Sequence, residues 1–142
     1  MTTVQQVFDM AIHLMDEQNE TTGSTETVDT KEYKYRTISI LNSVIGALYP
    51  FSGTYEAGES GRPAPTPLLV DKYNAPDFTQ AVPLDDVLSM SVLPYYLAAQ
   101  LLAGENETLA SWFMNRYREA FNDLRNRVPA EFEKISTPYG TF

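Results

Sequence analysis

The chain has 142 residues, ten basic and nineteen acidic, with a formal charge of −9, a length that suits one domain with a core of its own. That acidic balance argues against broad duplex binding, which draws its affinity from Lys and Arg neutralising phosphates. The lack of cysteine and the single histidine, His13, exclude thiolate metal sites, redox dithiols, cysteine nucleophiles and multi-histidine metal centres.

Four segments carry apolar residues at helical spacing, which predicts a mainly α fold with a four-helix core. The first runs from about Thr3 to Gln18, with Thr3 as N-cap and Val4, Val7, Phe8, Ala11, Ile12 and Met15 as its stripe. Residues 19–29 hold Thr, Ser, Gly and Glu and almost nothing apolar, the composition of an exposed loop. The second helix is expected from Asp29 or Thr30 to just before Pro50, burying Tyr33, Ile38, Leu41, Val44, Ile45 and Leu48. Residues 50–83 hold six of the nine prolines, which forbids a long helix there. Within this insertion 53–67 reads as a mobile excursion, and 68–70 and 78–82 as the two strands of a short β-hairpin.

The third helix is expected from Asp85 to Ala103, capped by Asp85, stopped by Gly104 and kinked by Pro94. The fourth begins at Asn106 or Thr108 and runs to Val128, where Pro129 ends it. Leu109, Trp112, Phe113, Tyr117, Ala120, Phe121, Leu124 and Val128 form its stripe, the strongest in the chain, predicted to pack against the other three helices. The tail, residues 130–142, carries Phe132, Ile135, Tyr139 and Phe142 without helical period and reads as an extended arm that needs a surface. The whole chain is read as one domain, residues 1–142.

No segment offers a catalytic set. The carboxylate pairs Asp16–Glu17, Asp85–Asp86 and Glu105/Glu107 fall at helix ends or in loops, where caps and solvation explain them. His13, at the edge of the first stripe, reads as a boundary residue. Gly53, Gly58 and Gly61 lack the flanking residues of a phosphate-binding loop. No catalytic, cofactor or metal site is therefore expected. Arg116, Arg118, Arg125 and Arg127 gather on the fourth helix, interleaved with Glu119 and Asp123, the pattern of a solvent face or of one meeting a partner subunit. Nine tyrosines exceed what one core needs, and tyrosine favours interfaces because its apolar ring ends in a wet hydroxyl.

Three strings narrow the reading further. They are Glu32-Tyr33-Lys34-Tyr35-Arg36-Thr37-Ile38-Ser39-Ile40-Leu41-Asn42 with Leu48-Tyr49-Pro50, then Leu84-Asp85-Asp86 with Ser91-Val92-Leu93-Pro94-Tyr95-Tyr96-Leu97, and Ala110-Ser111-Trp112-Phe113-Met114-Asn115-Arg116-Tyr117 with Pro138-Tyr139-Gly140. Together they resemble the head–tail connector and head-completion (neck) proteins of long-tailed phages and prophages. The resemblance covers the helical parts, about two-thirds of the chain by our reading, and leaves 53–67 without a counterpart. It implies a non-enzymatic protomer that forms a ring at the portal end of the capsid, touching the portal protein and the next neck or tail protein. DNA would pass through without specific binding, which an acidic wall assists. Arg116, Arg125, Arg127, Phe132, Ile135, Tyr139 and Phe142 are then the expected subunit-interface residues. No membrane role is expected; the protein would stand in the host cytoplasm during assembly and then in the virion. Two other classes fit the composition less well. A ligand-binding or regulatory bundle would use a pocket beside Pro94 lined by Tyr95 and Tyr96, and a DNA mimic would need carboxylates in regular rows.

Overall fold

The computed structural model describes residues 1–53, 65–70 and 76–127. The expected arm at 130–142 and the greater part of the excursion at 53–67 lie outside the described residues.

The described residues form five α-helices: α1 (Val4–Met15), α2 (Lys31–Leu48), α3 (Asp86–Ser91), α4 (Leu93–Leu102) and α5 (Glu107–Arg127), with a 3₁₀ turn at Tyr49–Phe51. The mainly α class and the helical core are as the periodicity predicted. α1 begins with a capping box: the Thr3 hydroxyl accepts from the Gln6 amide, and the Gln6 side chain accepts from the Thr3 amide. It stops at Asp16, which takes the left-handed conformation at φ 58°, three residues before Asn19 begins an Asx turn that gathers the amides of Thr21 and Thr22.

The N-terminus corrects the hairpin expected over 68–82. The Val4 and Gln5 amides belong to the first turn of α1 and have no partner inside the helix. They donate to the carbonyls of Gln80 (2.9 Å) and Phe78 (3.0 Å), while the Val82 amide donates to Thr2 (2.8 Å). An antiparallel bridge, Thr3 to Ala81, results. Residues 78–82 therefore pair with the start of the chain rather than with 68–70.

Residues 68–70 are fastened by side-chain amides instead. Asn42 on α2 accepts from the Leu68 amide (2.9 Å) and donates to its carbonyl (3.0 Å). Gln80 does the same for Leu69, at 2.7 and 2.9 Å. A primary amide offers one acceptor beside donors on the same plane, so it can replace a neighbouring strand for one residue.

The third predicted helix is two helices. Val92 breaks the rod at φ −115°, and Pro94 enters the first turn of α4, where its missing N–H leaves no intrahelical bond unmade. Asp85 caps α3 by accepting from the Leu88 amide at 2.8 Å. The core gathers the buried stripes of α1, α2 and α4 with Leu84, Leu88, Phe78 and Val82.

α5 differs from expectation in two respects. It packs chiefly on α4 rather than on three helices, so only a narrow seam is covered. Phe113 is 2 % exposed, yet Trp112 is 54 % exposed; one residue of helical rotation carries the indole out of the seam. Tyr117, Phe121 and Leu124 are half-buried against the core. The Phe121 ring meets Phe51 edge-on at 5.1 Å. Because part of that ring stays wet, Phe121→Ala is expected to cost about 2 kcal/mol, below the usual loss for a fully buried aromatic. Urea titration of parent and variant checks this.

Candidate subunit interface

The α4–α5 seam is aromatic. Tyr95 faces Phe113 with ring centroids 6.5 Å apart, and Tyr96 faces Tyr117 at 5.0 Å. Tyr117 in turn stacks on Phe121 at 6.3 Å. Tyr95 and Tyr96, expected to line a pocket beside Pro94, thus lie against α5. Burial pushes the Tyr117 hydroxyl up from its usual range, with Tyr96 adding to the effect and Arg118 opposing it.

The arginines divide between faces of α5. Arg116 sits on the Trp112 flank, 5.9 Å from the indole and 5.7 Å from the Tyr95 ring, and pairs with Glu119 at 3.1 Å. Arg118 and Arg125 are seven residues apart and share another face, where both are exposed. Arg125 also lies 5.9 Å from the Phe121 ring. The structure therefore separates Arg116 from Arg125, which the sequence placed in one set, and adds Arg118. Arg127 ends α5, with its side chain outside the described set, as are Phe132, Ile135, Tyr139 and Phe142.

Carboxylates gather where the sequence showed only separate helix ends. Tyr33, buried near the start of α2, donates its hydroxyl to Glu105 in the α4–α5 turn. This ties together two elements 72 residues apart. Burial and the Glu105 carboxylate raise the Tyr33 hydroxyl far above its usual range. Glu17, just past α1, is raised from the usual carboxylate value by burial first, then by Glu105, Asp29 and Asp16. The missed signal was Tyr33 itself, a stripe residue whose hydroxyl needs an acceptor at that end of the bundle.

A folded-state value raised above the unfolded one means that the folded chain holds the Glu17 proton more tightly. Its charge then costs nothing below the unfolded value, and the penalty is complete once pH passes the raised one. Glu17→Gln is accordingly expected to raise the melting temperature slightly at neutral pH, with the gain vanishing as pH falls below the carboxylate range. Thermal unfolding at pH 7 and pH 3.5 checks the sign.

His13 is exposed on α1, beside an open groove of about 500 Å³ with Gln6, Met10, Leu14 and Met90. A second cleft of about 380 Å³ lies at the start of α2, where Lys34 is held by Glu26 at 2.6 Å. Among the described residues no three His, Asp or Glu side chains converge as metal ligands, and no helix is long and apolar enough to cross a membrane. No family model, curated protein or solved structure matches the chain.

Proposed function

We propose that the chain is a structural head–tail connector of a long-tailed phage or prophage. Copies of it form a ring at the portal end of the capsid, between the portal protein and the next neck or tail protein, and carry out no catalysis. The ring leaves DNA free to pass, holds no cofactor and stands apart from membranes; its place is the host cytoplasm, then the virion.

The observation that carries this reading is α5. A 21-residue helix lies on the outside of the bundle, covered along one seam by α4, with arginines and a half-exposed tryptophan on its remaining faces. In an otherwise acidic chain, such a helix suits contact with neighbouring subunits better than it suits the closing of a pocket. The three strings that resemble connector proteins run through α2, the α3–α4 break and α5, and support the same reading. A resident prophage or phage carrying a deletion of this gene tests it. Full heads and free tails should accumulate, and the protein added to the lysate should restore joined particles. Normal particles from the deletion strain would overturn the proposal.

A further inference from the structure

The face of α5 opposite the α4 seam carries Ser111, Asn115, Arg118, Asn122 and Arg125, spaced at helical intervals and all exposed. Glu107 continues this row in the first turn and Glu119 borders it, so the positive charge is concentrated in the Arg118–Arg125 half. Neither Arg118 nor Arg125 is in an ion pair among the described residues. The C-terminal half of this face carries two full positive charges on donor-only guanidinium groups, with Asn115 and Asn122 beside them.

The opposite chemistry stands at the other end of the bundle. Glu105, Asp29 and Asp16 each stand close enough to Glu17 to act on its carboxyl, and the stretch 16–32 carries six acidic residues against one lysine. Residues 116–127 hold four of the ten basic residues and two acidic ones; elsewhere six basic residues face seventeen acidic. Tyr33 and Glu105 place the acidic end beside the start of α5, so about 20 residues of helical rise, roughly 30 Å, separate it from Arg125. That is more than three screening lengths at physiological salt, about 8 Å each, and Arg118, about 13 residues or roughly 20 Å from Glu105, is more than two away. The two ends of one molecule therefore leave each other's charge uncompensated.

Resting on the ring reading above, we propose that the Arg118–Arg125 face of α5 receives the acidic end of a second copy of this chain, around Glu17, Asp29 and Glu105. Unlike patches set apart on one molecule can meet head to tail, the arrangement that a ring requires. Such a heterologous contact leaves one donor face and one acidic end unfilled at every step, and so continues until the set closes as a ring. A two-fold antiparallel pair would fill both contacts at once and stop at a dimer, so a parent that sediments as a dimer and no larger overturns the head-to-tail contact.

Complementary charge reversal tests this in the full chain. R118E/R125E makes both ends negative, and E17K/D29K cancels the negative charge of the acidic end; all four positions are outside the core, and circular dichroism confirms that each variant folds. Sedimentation is expected to show self-association of the parent weakened about 30-fold or more in either variant alone. An equal mixture of the two should associate again, because each variant supplies the charge that the other lacks. Variants that associate as well as the parent would overturn this pairing and leave the ring standing. A mixture that stays monomeric would overturn it too. A parent that remains monomeric to roughly 1 mM, or that retains duplex DNA on this face instead, would overturn the pairing together with the ring.

Discussion

Phe8→Ala should cost about 3–5 kcal/mol, the range for truncating a fully buried aromatic ring. Phe8 has no exposed surface, and its ring meets Phe78 edge-on with centroids 5.2 Å apart. The substitution removes area from the α1 stripe and also leaves Phe78 without its aromatic neighbour. Phe78 belongs to the segment whose carbonyls take up the first amides of α1, so the cavity opens at the joint between helix and segment. A domain of this size has about 5–15 kcal/mol in hand, and the loss should lower the melting temperature by roughly 10–20 °C. Urea titration gives the free energy directly. A loss under about 1 kcal/mol would mean that Phe78 closes the cavity and that α1 packs differently from the arrangement described.

Asp85→Ala should be the costliest change of a partly exposed polar side chain, at about 2–3 kcal/mol. One carboxylate oxygen caps α3 through the Leu88 amide at 2.8 Å, and the other accepts from the Gly53 amide at 2.6 Å. The Asp85 amide itself donates to the Ser52 hydroxyl at 2.9 Å. The residue thus begins α3 and also fastens the end of the α2 extension to it. Glycine makes that approach without crowding, whereas a Cβ at position 53 would stand 3.3 Å from the Asp85 carboxylate, tighter than an ordinary contact. Asp85→Asn keeps an acceptor for the cap and should lose less than Asp85→Ala. Equal losses in the two variants would show that negative charge, rather than the cap, carries the effect. Denaturant titration of the three proteins separates the cases.

Helical periodicity reveals what a helix buries when neighbours surround it, and α1 and α2 follow it residue by residue. α5 does not, because it packs chiefly on one helix. A stripe read from spacing alone assigned Trp112 to the core, whereas a single partner leaves room for Phe113 and only part of Tyr117 and Phe121. The position of Pro94 was legible, but not the interruption at Val92 that divides the rod into α3 and α4. Pairing of extended segments was the weakest reading. Residues 68–70 and 78–82 are near one another in sequence, yet the amides that needed acceptors were those at the start of α1. The interface was half legible. Composition showed arginines on the last helix, and their spacing separates Arg118 and Arg125 from Arg116. The acidic end came from tertiary contact between residues 17, 29, 33 and 105, which no local pattern brings together.

The antiparallel bridge between Thr3 and Ala81 has a consequence for the order in which the protein is made. α1 is synthesised first, but it packs mainly on α4, and its opening amides wait for the carbonyls of residues 78 and 80. At about 5–20 residues per second, the ribosome needs roughly 5–20 s to advance from the end of α1 to the end of α4. During that interval Val4, Phe8 and Ile12 face a nascent chain that cannot yet cover them. α1 is thus made before the partners that hold it, and its apolar side stays uncovered until α4 is complete.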